Sequence, residues 1–276
     1  MTEKNEKRVI EVPRRQFIAG VGKFAAGAAV GMGALGLVGC SSTETAQAEG
    51  ENTSAEGAAS KVELPAWPWP YKKLDSKVVA KRAYENYFKG GCMFAVGSAL
   101  IQTLHEEVGD PYNFIPVEMY KYGSGGAAGW GTLCGSLNGA CSVINLVCKD
   151  FGAVCNEVIG WYTKQPFPST DHDEYAKFKG QETTVSNSPL CHNSVSKWCN
   201  KTGAKIGDPE RKDRCAKLSG DVAAKTVELL NAYADGAFAA AYKAEGEYTS
   251  CFDCHSNKTN IISKMDCFDC HDDPHK

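Results

Sequence analysis

The chain has no surplus of positive charge. Its 30 Lys and Arg stand against 33 Asp and Glu, a net charge of -3 over 276 residues. No basic field is available to meet a phosphate backbone, which argues against nucleic acid as a partner. Strand signals are scarce, which sets sandwiches and barrels aside. The one long apolar run, GVGKFAAGAAVGMGALGLVG (20–39), is too rich in Gly and Ala and too short for a convincing permanent membrane span. The stretch that follows, SSTETAQAEGENTSAEGAAS (41–60), has almost no large apolar side chain and reads as a flexible tether. A tight C-x-x-C-x-x-C run of the ferredoxin kind is also missing.

What stands at the N-terminus is an address. Lys4, Lys7 and Arg8 give a cationic start, and Arg14–Arg15 precede Phe17 and the apolar run, which is the twin-arginine export pattern. The run ends Leu37-Val38-Gly39-Cys40. That resembles a bacterial lipobox, in which Cys40 takes the lipid and tethers the protein to a membrane. Soluble release at Ala46-Gln47-Ala48 is the alternative. The expected location is the periplasm or the extracytoplasmic face of the membrane. The expected organisation is a signal over 1–40, a linker over 41–64, a helical domain over 65–245 and a tail over 246–276.

Thirteen cysteines are far above average. Four of them sit in a pentapeptide, Cys-Phe-Asp-Cys-His, written twice sixteen positions apart (251–255 and 267–271). C-x-x-C-H is the attachment unit of c-type haem. Two thiols add across the two vinyl groups, and the next residue, His, lies under the iron as an axial ligand. Cys251 and Cys254 therefore hold one haem with His255, and Cys267 and Cys270 hold a second with His271. Two porphyrins supply the apolar body that about thirty polar residues lack. Each iron wants a sixth ligand. His192 is the first candidate and His105 the second, ahead of His172 and His275, with methionine ligation through Met265 as the alternative. Asp253, Asp266, Asp269, Asp272 and Asp273 surround the motifs with negative charge, which lowers a haem potential and suits a basic partner; a solvated surface is the plainer reading.

The middle of the chain reads as an all-α fold. A helix is predicted over 76–108, broken near Gly90–Gly91 and stopped by Gly109-Asp110-Pro111. A glycine-rich turn, GSGGAAGWG (123–131), leads into a helix over about 132–162, and an Ala-rich helix covers about 208–244. Cys134, Cys141, Cys148 and Cys155 recur every seven residues, which on one continuous helix places them along a single stripe suited to a helix seam. Cys134 is set at a helix start, where the dipole favours a thiolate.

The stretches GGCMFAVGSALIQTLHEEVG, GGAAGWGTLCGSLNGA and SPLCHNSVSKWC, with a later Cys215, resemble the redox-active family named for its C-GCAxxG-C-C pattern. Gly91-Cys92 with Gly97 matches the first element, although Met93 stands where the name has Ala. Cys134-Gly135 matches the second, and Cys191, Cys199 or Cys215 the later cysteines. Joined to two C-terminal C-x-x-C-H motifs, the combination is similar to the split-Soret cytochromes c over about residues 80 to 271. The resemblance implies an all-α domain, a homodimer, two haems packed close together, bis-histidine ligation and an iron–sulfur cluster on the domain cysteines. Cys92, Cys134, Cys191 and Cys199 supply the four thiolates that a [2Fe–2S] or [4Fe–4S] cluster takes. A disulfide, thiol redox chemistry and inert packing are the competing readings of the same residues. The whole reads as an exported dihaem carrier of electrons that serves redox partner proteins. The rival is an enzyme whose haems feed a cysteine or iron–sulfur site that reduces a small molecule.

Overall fold

The computed structural model describes residues 64–242, 264, 265 and 272, all within the unit Ser60–Lys276. The signal, Cys40, the tether, the haem-attachment residues Cys251, Cys254, Cys267 and Cys270, and the ligands His255 and His271 lie outside the described residues.

The first helix, α1, runs Ser76–Val108. Asp75 starts it by accepting the Lys77 and Val78 N–H groups at 2.8 and 3.2 Å, a side-chain cap on otherwise unpaired donors. Gly109 ends it with φ 85 and an N–H bond to the His105 carbonyl at 2.8 Å. Inside, Gly91 takes φ 81 and ψ -170, so the helix is kinked where the glycine pair predicted a break. Two 3₁₀ turns, Tyr112–Phe114 and Val117–Gly123, lead to the glycine-rich loop. Then follow α2 (Gly135–Val147), α3 (Phe151–Lys164), α4 (Cys191–Thr202) and α5 (Pro209–Ala234). A two-residue antiparallel pair, β1 (Pro166–Phe167) with β2 (Thr184–Val185), is the only sheet among the described residues. The fold is all-α, as expected.

Helix α1 is the central element and packs against α5 and α2. The stretch of α1 from Cys92 to Leu104 is almost wholly buried. Close approach to α2 is possible because small residues meet there: a Cβ on Gly139 would lie 2.6 Å from the Met93 carbonyl oxygen and 2.8 Å from the Gly97 nitrogen. The opposite side of the core is polar. Along α5, Asp213, Lys217 and Asp221 are buried at four-residue spacing. Asp213 accepts from the Tyr84 hydroxyl at 2.5 Å and the Phe178 N–H at 3.1 Å, Lys217 pairs with Asp173, and Asp221 binds Ser169 and His172. This stripe clamps the 168–181 loop onto the bundle.

Two sequence expectations are corrected. The helix predicted over 132–162 is two helices. Cys148 takes an extended conformation (φ -118, ψ 133), and Tyr233 on α5 donates to the Asp150 carboxylate at 3.2 Å and accepts its N–H at 3.3 Å. Tertiary contact at the turn overrides a helical pattern that runs through it. The seven-residue cysteine spacing therefore does not make one stripe. The helix predicted to 244 ends at Ala234, where Gly236 adopts φ 67 and donates to the Tyr233 carbonyl at 3.1 Å.

The glycine seam yields a test. Gly139→Ala is expected to cost about 1–3 kcal/mol, from overpacking against backbone that cannot move aside. Gly152→Ala, in the first turn of α3 with open space around the added carbon, is expected to stabilise by about 0.5–1 kcal/mol. Thermal melts of the two variants, at about 2–4 °C per kcal/mol for a domain of this size, check both signs.

Candidate metal centre

Four chain segments meet around a set of buried sulfurs. The kink at Gly91 makes Cys92 the first residue of the second half of α1. Cys134 immediately precedes α2, and Cys191 opens α4. The backbone knits these two helix starts together. Cys134 N–H donates to the Pro189 carbonyl at 2.9 Å, Cys191 N–H to Thr132 at 2.8 Å and His192 N–H to Gly131 at 3.0 Å, beside an antiparallel bridge between Leu133 and Leu190. Gly135 brings α2 against Cys92: a Cβ there would sit 3.0 Å from the Cys92 Cβ. Cys215 arrives from α5, where the Arg211 and Arg214 guanidiniums donate to its Sγ at 3.9 and 3.8 Å. The glycine-rich loop folds over the group with Gly125, Gly126, Gly129 and Gly131 all at positive φ. Side chains are barred from the tightest point, since a Cβ on Gly126 would meet the Thr132 nitrogen at 2.6 Å. A cavity of about 700 Å³ opens onto Cys92, Cys191 and Cys215, with His192, Arg211 and Lys212 on its wall.

The electrostatics pull two ways. Burial pushes the Cys92 thiol well up, and the sulfurs of Cys215, Cys134 and Cys191 add to the shift. Burial raises Cys134 too, and pushes Cys191 up to about 12. The expectation of a dipole-stabilised Cys134 thiolate is corrected here. The residue does stand at the helix start, but loss of water outweighs the Tyr162 hydroxyl and the Ser136 N–H aimed at its sulfur. Against this, Arg214 is 1 % exposed and carries its charge among the sulfurs. Burial opposes that charge, and Cys215 holds it in place. Among the described residues, Arg214 has no carboxylate partner; it binds Ser194 Oγ at 2.9 Å and Cys215 Sγ.

The donor set fits a thiolate-bound iron unit. One buried polar atom beside the sulfurs, Arg214 Nε, has no hydrogen-bond partner among the described residues, as a donor waiting for a sulfur-rich acceptor would. Among the described residues, no three His, Cys, Asp or Glu side chains converge tightly enough for a single metal ion.

The sequence candidates fall as follows. Cys92, Cys134 and Cys191 come together. Cys199 lies further along α4; its thiol, raised chiefly by burial, faces Cys215, Arg211 and Arg214 and does not line the cavity. Cys215 joins the group in its place. No local signal marks it within the charged run RKDRCAKL; only the docking of α5 does. His192 is exposed at the cavity wall, and His105 is exposed in the last turn of α1. His172 is buried with both ring nitrogens taken, Nδ1 by the Tyr175 hydroxyl at 2.7 Å and Nε2 by Asp221 at 2.8 Å. All eight domain cysteines are free.

Residues 95–229 match the family described as "Putative redox-active protein (C_GCAxxG_C_C)". The "Split-Soret cytochrome c" of Desulfovibrio desulfuricans (strain ATCC 27774 / DSM 6949 / MB) is 34% identical over 259 residues, covering 91% of this chain and 90% of that protein. A solved structure, described as "A novel iron centre in the split-Soret cytochrome c from Desulfovibrio desulfuricans ATCC 27774", superposes with a TM-score of 0.69 at 34% identity, covering 74% of this chain and 90% of that one.

The buried thiols make the metal-free protein sensitive to alkali. The folded pKa of Cys191, about 12, lies above its ordinary value of 9.0, so the unfolded chain loses its proton first as pH rises. Stability is complete below about pH 9 and falls from there towards about pH 12. Denaturant midpoints of iron-stripped protein at about pH 7 and about pH 10.5 measure the fall. Cys191→Ala is expected to make it shallower, and an unchanged pH dependence in that variant overturns the assignment.

Proposed function

This chain belongs to the split-Soret cytochrome c family, and on that premise we propose that it is an exported dihaem c-type cytochrome that carries electrons between a thiolate-bound iron–sulfur centre and its haems. The coarser statement stands without the proposal: it is a redox protein of the electron-transferring kind. In the proposed reading, Cys251, Cys254, Cys267 and Cys270 hold two haems covalently, and His255 and His271 ligate their irons from one side. His192 and His105 are the proposed sixth ligands. A haem ligated through His192 would lie beside the thiol cavity, which keeps the electron path short. Cys92, Cys134, Cys191 and Cys215 are the proposed cluster ligands, with Cys199 as the outer alternative, and [2Fe–2S] and [4Fe–4S] both suit four thiolates.

The observation that carries this reading is the buried, carboxylate-free Arg214 among the sulfurs. An iron–sulfur unit bound there supplies one-electron redox chemistry. The chain's own groups set the conditions. Arg211 and Arg214 place positive charge on Cys215, Gly125 aims its N–H at Cys92, and the glycine loop limits water. Donors and cations aimed at ligand sulfurs favour the reduced state and raise the potential. The proposal also places the protein outside the cytoplasmic membrane, as a homodimer serving redox partner proteins, with Cys40 as the lipid anchor.

A second reading is an oxidoreductase that reduces a small molecule at the same centre. The cavity of about 700 Å³ at the sulfurs favours it, because Arg211, Lys212 and His192 would receive an anion there.

Visible and EPR spectra of the purified protein, with haem and iron counted per chain, test the main reading. Two haems plus surplus iron with sulfide are expected. Cys215→Ser is expected to lose the surplus iron and keep both haem spectra, while Cys199→Ser keeps all of it. Haem iron alone in the wild type overturns the cluster, and no covalent haem overturns the cytochrome reading.

A further inference from the structure

Three cysteines take no part in the centre: Cys141 on α2, Cys148 at its end and Cys155 on α3. The break at Cys148–Asp150 folds α3 back over α2 and brings residues fourteen positions apart into contact. Cys155 Sγ donates to the Cys141 carbonyl oxygen at 4.0 Å, and each thiol shifts the other's proton affinity. Both are partly exposed, whereas Cys148 is 1 % exposed.

The contact points outward to a place of interest. Cys155 lines a cavity of about 420 Å³ whose other walls include Asn156, Tyr242, Lys264 and Met265. Lys264 Nζ donates to Asn156 Oδ1 at 3.2 Å. Lys264 and Met265 belong to the segment between the two C-x-x-C-H motifs, three and two positions before Cys267. The thiol pair thus stands against the part of the tail that joins the two haem-attachment sites.

We propose that Cys141 and Cys155 form a reversible dithiol–disulfide couple that exchanges electrons with the haems of the tail, a role that rests on the dihaem reading above. As the S–S bond forms, the two thiols give up two protons and two electrons. Two ferric haem irons accept one electron each, and the protons leave through the open cavity. One disulfide per chain matches two one-electron acceptors per chain. Closing the bond requires the sulfurs to approach to about 2.05 Å. The pair is already polarised for it. The Cys141 side chain pulls the Cys155 thiol below its ordinary value, while Cys155 and burial push Cys141 up. Cys148, 1 % exposed, is packed into the core instead.

The test uses the full-length holoprotein, poised with ferricyanide or with dithionite, then denatured and alkylated. The oxidised sample is expected to carry two fewer alkylated cysteines. Lys149 lies between the partners, so trypsin separates their peptides and the oxidised digest should show Cys141 linked to Cys155. Reductive titration of the wild type should consume two more electrons per chain than Cys141→Ser or Cys155→Ser at equal haem content. Cys148→Ser should retain the link. A link through Cys148, no link, or equal electron counts in chains with both haems overturns the couple and leaves the cytochrome reading intact. Absence of haem mass on the wild-type chain overturns the cytochrome reading, and the couple loses its acceptor with it.

Discussion

A buried guanidinium sets the terms for the rest of the domain. Arg214 cannot be neutralised by losing its proton, and an isolated charge in the interior is costly unless something of opposite sign answers it. Among the described residues the answer is sulfur and a serine hydroxyl, with no carboxylate in the shell. The same low dielectric that makes Arg214 demand an anion makes the Cys92, Cys134 and Cys191 thiols resist becoming one. In the proposed reading a metal unit answers both, because it binds thiolates and takes up the charge they carry. The protein therefore holds a site that is ill at ease when empty, which is how a chain specifies a cofactor without a continuous motif.

The scaffold around that site is rigid for plain reasons. Glycines let α2 lie against the second half of α1, a kink at Gly91 turns Cys92 inward, and a loop of positive-φ glycines covers the sulfurs. On the far side, α5 spends its charged residues on holding a loop. Asp213, Lys217 and Asp221 each have partners, so burial of these charges fixes the position of α5, and with it Arg211, Arg214 and Cys215.

Much of this was readable from the chain. The Gly90–Gly91 pair announced the break in α1, Gly109-Asp110-Pro111 its end, and the glycine loop before Cys134 a helix start. Three of the four sulfurs at the proposed centre, Cys92, Cys134 and Cys191, came from the resemblance to the C-GCAxxG-C-C pattern. The remainder depended on tertiary contacts. A seven-residue cysteine period looked like one helix face because no proline or glycine interrupts 141–150; the interruption comes from Tyr233, some eighty residues later. Cys215 is one of three candidates for the later cysteines of the pattern, and nothing local in RKDRCAKL singles it out. Its charges at four-residue spacing are in fact interior, and alternation of sign along 213, 217 and 221 was the one available hint.

The order in which the sulfurs occur along the chain has a consequence for biogenesis. Cys92, Cys134 and Cys191 emerge from the ribosome first, and a nascent chain that has reached Thr202 holds an incomplete ring of donors with no cation among them. The last helix of the domain delivers the closing sulfur and both arginines together. Iron captured earlier would be held by a partial set and easily lost. On the proposed ligand set, the acceptor for inorganic cargo would come into being only when synthesis of the domain is finished and its two ends have met.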